Sequence, residues 1–337
     1  MTPIQSCILK KDKKTKPVWI MRQAGRYLPE FRKIRENNQD FIKLCLNSNL
    51  SSEITLQPIN RFDLDAAIIF SDILMVPYAL NQKVQFKKNF GPILGKLDIE
   101  EILKIKEEDF KKKLNPIYKL IKKVKVNKSL KNKDLIGFVG APWTLAIYML
   151  NKVSPKKNEV THILENLSHL KKIIKILNKY LKVHILNQVK SGATVIKIFD
   201  SWAGLLDEKY LDELVYFPTQ EIVKYTKSLN IPVICFPRNI KNYKKYCEIV
   251  KPDVISIDYN VDPKQIKDEI NITIQGGLDP KILLADREKV KLESKKYLDI
   301  FSDSPYIFNL GHGILPETDP YMVEYLINFV KNYNYGK

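Results

Sequence analysis

The chain is poor in the groups that hold metals and carry redox chemistry. Among its 337 residues are four cysteines and four histidines. Cys7, Cys45, Cys235 and Cys247 form no C-x-x-C pair, and none has a histidine at metal-ligand spacing. Unpaired thiols in a reducing compartment fit this usage, and no metal site is expected. No stretch approaches 18 apolar residues, the least a membrane-crossing helix needs, so no membrane span is expected. Residues 1–16 are polar and lack the apolar core of a secretory leader. The expected location is the cytoplasm. The glycines form neither G-x-G-x-x-G nor a P-loop, so dinucleotides and nucleoside triphosphates are not supported and no cofactor is expected.

Charge of one sign is in excess. The formal net charge is +18, from 56 basic and 38 acidic residues. Such a balance raises the question of nucleic acid or an anionic membrane. The lysines are spread along the chain beside Asn and Ile, as on solvated helix faces, and are not interleaved with aromatics on one segment. Compositional drift explains them better than a polyanion surface, and no nucleic-acid partner is expected. Arginine behaves differently. It is scarce, at positions 22, 26, 32, 35, 61, 238 and 287, and four of these fall within 22–35. In a chain that otherwise prefers Lys, this suggests a site that needs planar, two-pronged donors.

Short apolar runs recur at 17–21, 66–70, 135–139, 194–199, 232–236, 253–257, 272–275 and 306–310. Several are continuous, as in strands buried on both faces of a parallel sheet. Between them, 99–125, 162–189 and 207–228 repeat apolar residues at helical spacing. The polar stretch 125–134 reads as a solvated loop. Alternating strand and helix argues for βαβ units. Eight strands predict a single (β/α)8 barrel of the TIM type over residues 1–337, in preference to an open doubly wound sheet.

The segments after the strands then gather at one face, where barrel active sites sit. They are Arg22 to Arg26, Ser71-Asp72, Gly140 to Thr144, Asp200 to Gly204, Gly276 to Asp279 and Gly311-His312-Gly313. Arg22 and Arg26 lie four apart around Gly25, so both guanidinium groups can face one carboxylate ligand. This reading is preferred to the alternative of surface arginines paired with nearby acids. Asp72 ends an apolar strand, as a partly desolvated carboxylate or as the N-cap of a helix over 73–80. Tyr148 fits the first turns of a helix and equally a core position. Ser201 has no G-x-S-x-G context and reads as well as a helix cap. His312, between two glycines, is more exposed than a core histidine. His162, His169 and His184 fall in helical stretches.

These residues carry a resemblance. The stretch 17–35, PVWIMRQAGRYLPEFRKIR, resembles the N-terminal signature of the uroporphyrinogen decarboxylase family, and 136–149, IGFVGAPWTLAIYM, its second signature. FSDIL at 70–74, FDSWAG at 199–204, 276–280 and LGHG at 310–313 fall in the family's order and spacing. The likeness covers essentially the whole chain. It implies a single distorted (β/α)8 barrel, commonly a homodimer, that removes the acetate carboxyl groups of a tetrapyrrole without metal or organic cofactor. It implies that Arg22 and Arg26, with the backbone of Gln23, Ala24 and Gly25, bind substrate carboxylates. It implies that Asp72 contacts the pyrrole nitrogens and that Tyr148, Ser201 and His312 touch substrate. Catalysis is expected from Asp72 and Arg22. Gly277 stands where the family often has Asn, and 318–322 departs from its usual Thr-Pro-Pro-Glu pattern. A corrinoid-linked methyltransferase of similar fold would need zinc held by His and Cys, and no Cys lies near His312 in sequence.

Overall fold

The computed structural model describes residues 1–87, 90–155 and 160–334. Nine strands are named in chain order: β1 (Ala66–Ile68), β2 (Val84–Lys87), β3 (Gly91–Leu94), β4 (Asp134–Gly140), β5 (Val195–Asp200), β6 (Val233–Pro237), β7 (Val254–Ile257), β8 (Thr273–Gly276) and β9 (Tyr306–Ile307). Seven form one curled sheet in the order β1-β4-β5-β6-β7-β8-β9, every neighbour parallel. All seven residues of β4 are buried, as a strand covered on both faces requires.

Residues 17–20 supply the eighth stave. Val18 bridges Phe308 in parallel, and the Phe308 amide donates to Pro17 O at 2.8 Å. On the other side Asp65 N donates to Val18 O at 2.8 Å. The Val18 amide donates to the Asp65 carboxylate at 2.7 Å, a side chain standing in for a ladder carbonyl. The other oxygen of Asp65 accepts from Lys331 at 2.6 Å. The ring is thereby closed, as the eight apolar runs predict.

Helices pack outside the ring. The stretch 99–125 splits into Ile99–Leu103 and Glu107–Lys125, and 162–189 into Thr161–Leu164 and Leu167–Ser191. The stretch 207–228 carries a π turn, Asp212–Tyr216, just before Pro218. A proline lacks the N–H that would bond back to Leu214 O, so the turn widens. Three features escape sequence periodicity. The 3-10 turn Lys128–Leu130 buries Leu130 inside the predicted loop. The β2–β3 hairpin sets Phe86 against Phe41, which in turn meets Phe70. The helix Pro3–Leu9, too short to show a period, buries Ile4, Cys7 and Ile8 in the barrel core, near the start of β4.

Apolar side chains dominate the barrel interior, with a few buried polar groups among them: Gln275 accepts from Trp19 Nε1 at 2.9 Å and donates to Ser256 at 3.0 Å. Lys197 on β5 is fully buried, and its Nζ has no hydrogen-bond partner among the described residues. The rings of Trp19, Phe199 and Phe236 each stand 5.2 Å from it. Cation–π attraction contributes about 0.5–2 kcal/mol. Burying an ammonium ion costs several kcal/mol. Desolvation wins, and the amine pKa falls well below its ordinary value. The unfolded chain then binds one more proton up to about pH 10.5, so this residue costs stability that returns as pH rises toward that value. Lys197→Met, of similar volume, should raise the urea midpoint at pH 7 by the equivalent of at least about 1 kcal/mol. Chemical denaturation at pH 7 and 9.5 checks it; the gain should shrink at the higher pH.

Candidate active site

The site is built where the strands end. The chain leaves the first stave at Arg22 in a left-handed turn, φ +59°, so the strained residue is Arg22 and not Gly25. Gln23 fastens this turn. Its amide donates to Ile20 O at 3.0 Å, its side-chain oxygen accepts from Ile20 N at 3.1 Å, and its side-chain nitrogen donates to Ala66 O at 3.1 Å. The hydrogen-bonding groups of Gln23 are thus engaged inside the fold. The amides of Ala24, Gly25 and Arg26 have no acceptor among the described residues and present a row of donors.

Of the four clustered arginines, two do structural work. Arg32 donates to the carbonyls of Arg26 and Tyr27, and Arg35 to those of Asn38 and Gln39. Arg22 and Arg26 meet no carboxylate within ion-pair distance among the described residues. The reading of them as surface ion pairs therefore has no support in the structure.

Arg22 is exposed to solvent, yet protein flanks it closely. Burial lowers its pKa, opposed by Asp72 and Tyr148 and reinforced by Arg26 and Arg238. Asp72 follows Phe70-Ser71 at the end of the second stave and accepts from Leu74 N at 2.8 Å. Because the next helix, Met75–Ala79, has Leu74 as its N-cap with no side-chain bond, the helix-cap reading fails, and Asp72 ties the preceding turn instead. Burial pushes its pKa up to about 6, against the pull of the Leu74 amide and Arg22. Tyr148 comes from the helix Pro142–Asn151, with its ring edge-on to Trp202 at 5.9 Å. Burial raises the pKa of its phenol, which lies within electrostatic reach of Asp72 and Arg22. Ser201 stands one residue beyond β5, half-buried. The Thr144 hydroxyl behind it donates to Asp200 at 2.6 Å and accepts from Trp202 N at 3.2 Å. His312 is half-buried, and burial, then Arg22 and Arg238, lower its pKa to about 4. It is a neutral imidazole at ordinary pH.

The glycines beside His312 have specific uses. A Cβ on Gly313 would lie 2.3 Å from Arg22 Cδ, and one on Gly311 would lie 2.3 Å from Tyr259 N. They make room for an arginine side chain and a neighbouring backbone, not for a ligand. Arg238, just past β6, was not singled out from sequence. Its scarcity value as an arginine at a strand end was the available signal. Two other hollows, one of about 540 Å³ beside Thr194 and Lys133 and one beside Tyr259 and Tyr297, hold none of these residues.

With this geometry in place, comparison with known proteins decides the family. The profile of the family Uroporphyrinogen decarboxylase (URO-D) matches residues 2–333. The chain belongs to the uroporphyrinogen decarboxylase family. It is 43% identical over 342 residues to the uroporphyrinogen decarboxylase of Rickettsia bellii, covering 99% of this chain and 100% of that one. It is 44% identical over 321 residues to that of Wolbachia pipientis wMel, covering 94% of each. Among solved structures, a methyltransferase from Methanosarcina mazei aligns with TM-score 0.78 at 16% identity, over 97% of each chain; this likeness concerns the fold.

Two outcomes follow from the site. Gly313→Ala should displace Arg22 and lower kcat/KM for the family's substrate at least tenfold, with the thermal midpoint nearly unchanged; steady-state kinetics and a melting curve check both. Asp72 binds a proton in the folded state between about pH 4 and 6 that the unfolded chain does not. Its cost to stability is absent below that window and complete above it. Asp72→Asn should therefore stabilise the protein at pH 7.5 by about 1–2 kcal/mol, allowing for its contact with solvent. The gain should vanish at pH 4, as measured by denaturant titration at the two pH values.

Proposed function

We propose that this chain decarboxylates the acetate side chains of uroporphyrinogen III to methyl groups, giving coproporphyrinogen III and CO2, in porphyrin and haem biosynthesis. One observation carries the reading onto this chain: two guanidinium groups with no carboxylate partner among the described residues and one desolvated carboxylate lie within electrostatic reach at the mouth of a barrel belonging to this family.

The chemistry needs an electron sink. Losing CO2 leaves an electron pair on the side-chain methylene. A pyrrole serves as its own sink once a ring carbon takes a proton. The ring becomes a cation, and loss of CO2 leaves its electron pair to neutralise the ring; a second proton adds to the methylene, and the ring carbon gives up the first, leaving a methyl group on an aromatic pyrrole. No organic cofactor or metal is required by this route. Asp72 in its ionised form accepts from pyrrole N–H groups and stabilises the ring cation. Arg22, with Arg26 and the free amides of Ala24 and Gly25, holds substrate carboxylates. Each charge-assisted bond contributes roughly 1.5–3 kcal/mol. Arg22 is also the group we assign to directing the first proton, since burial and its cationic neighbours make it more acidic than an ordinary arginine. Gln23 holds the arginine turn, and Tyr148, Ser201 and neutral His312 line the substrate's edge.

The remaining assignments are a single barrel domain over residues 1–337, a homodimer and a cytoplasmic location. Among the described residues no helix is long and apolar enough to cross a membrane. The corrinoid-linked reading needs a set of zinc ligands. Among the described residues no three His, Cys, Asp or Glu side chains gather to hold a metal ion. Cys235 packs outward from β6, away from the mouth.

Anaerobic incubation with uroporphyrinogen III, followed by oxidation and chromatography, should yield coproporphyrin. The profile of kcat/KM should fall on the acid side with an apparent pKa of about 6, as Asp72 protonates. Asp72→Asn should lower kcat roughly 10²–10³-fold. Recovery of uroporphyrin alone from the unaltered protein, or a near-normal rate for Asp72→Asn, rejects the reading.

A further inference from the structure

The arginines sort themselves by what they touch. Arg61 grips Glu30 with two bonds, of 2.9 and 3.0 Å. Arg32 and Arg35 cap backbone carbonyls. Arg287 stacks over the Tyr325 ring at 5.5 Å. Three remain with no acceptor among the described residues: Arg22, Arg26 and Arg238. All three lie on one face of the barrel.

Arg238 is firmly held for a residue whose side chain has no hydrogen-bond partner among the described residues. Its amide donates to Asp200 O at 3.0 Å, and its carbonyl accepts from Gly204 N at 3.0 Å. The next residue, Asn239, is left-handed at φ +60° and donates its amide to Asp258 at 3.0 Å. Gly204 packs so tightly on Asn239 that a Cβ there would lie 2.2 Å from the Asn239 carbonyl oxygen. Loops after β5, β6 and β7 are thus locked around one arginine. Its side chain is half-buried, and Nε is sealed from water without a partner. A buried donor left unbonded destabilises the fold, and a ligand acceptor would relieve it. Counting round the ring from residues 17–20, β6 is the fifth of eight staves. Arg238 therefore stands across the mouth from Arg22 and Arg26, within electrostatic reach of Arg22 and His312.

We propose that Arg238 is a third carboxylate-binding arginine, gripping a carboxylate on the edge of the substrate opposite the one held by Arg22 and Arg26. A flat polycarboxylate lying across the mouth would then be fixed from both sides. This fixes which way round it lies as well as how tightly it is held. The inference rests on the reading of this site as that of a tetrapyrrole decarboxylase.

The test is steady-state kinetics with uroporphyrinogen III under anaerobic conditions, beside melting curves, for the unaltered protein, Arg238→Gln and Arg238→Lys. The fold uses only the backbone of Arg238, so neither variant should lose thermal stability. Arg238→Gln should raise KM about tenfold with kcat within about threefold. Arg238→Lys, which keeps the charge without the two-pronged geometry, should fall between. An active unaltered protein whose KM stays within twofold in Arg238→Gln overturns the proposal, as does a loss confined to kcat or an equal KM rise in both variants. An unaltered protein that forms no decarboxylated product instead defeats the underlying reading of the site.

Discussion

The barrel is closed by a carboxylate. Asp65 accepts from the Val18 amide and from Lys331, and its own amide donates to Val18 O. Residues 17–20 are too short for a regular ladder on both sides, and Asp65 supplies the missing acceptor. A buried carboxylate bonded to an amide and an ammonium group is a strong clasp, because removing either partner strands a charge away from water. What it holds is the origin of the arginine turn. Gln23 ties that turn to Ala66, Asn309 accepts from Met21 N, and Ile314 N reaches back to Met21 O. The position of Arg22 thus derives from contacts that run around the whole circumference.

Once the ring is closed, its open end gathers like charges that the protein does not neutralise. Arg22, Arg26 and Arg238 make no ion pair among the described residues, and the carboxylate of Asp72 near Arg22 has its own pKa raised by burial. Such an arrangement costs folding energy and is tolerated because the rest of the structure determines it. A ligand rich in carboxylates relieves it: each carboxylate brings the acceptors that the guanidinium groups and the free amides lack. His312 stays neutral among these cations, so it adds a polar contact without adding charge. The same logic separates the site from Lys197. That amine is also buried and unpaired, but it sits among aromatic rings inside the barrel and not at its mouth.

Much of this was legible before any coordinates. Every one of the eight apolar runs lies in a stave, because continuous apolar runs have few other uses in an alternating chain. Arg22, Asp72 and His312 stand out at strand ends, whereas Tyr148, inside a helix, is singled out only by the family resemblance. Other features were not legible. Pro3–Leu9 is too short to show a period, and its polar neighbours hid three buried residues. Arg238 lay in a strand-end segment with no glycine or histidine to draw attention. The glycines around His312 were visible, but their reason was not, because the atoms they avoid belong to Arg22 and Tyr259, far away in sequence.

The sequence by itself determined the periodicities, and with them the fold class. Those depend on residues a few positions apart, whose spacing is set by backbone geometry. Its two long motifs also determined the family. Only the tertiary structure decided which arginines are spent and which are free, which carboxylate closes the ring and which carboxyl titrates near pH 6. Those properties are set by desolvation and by partners brought together from opposite sides of a closed sheet. No local pattern along the chain records how much water a side chain has lost.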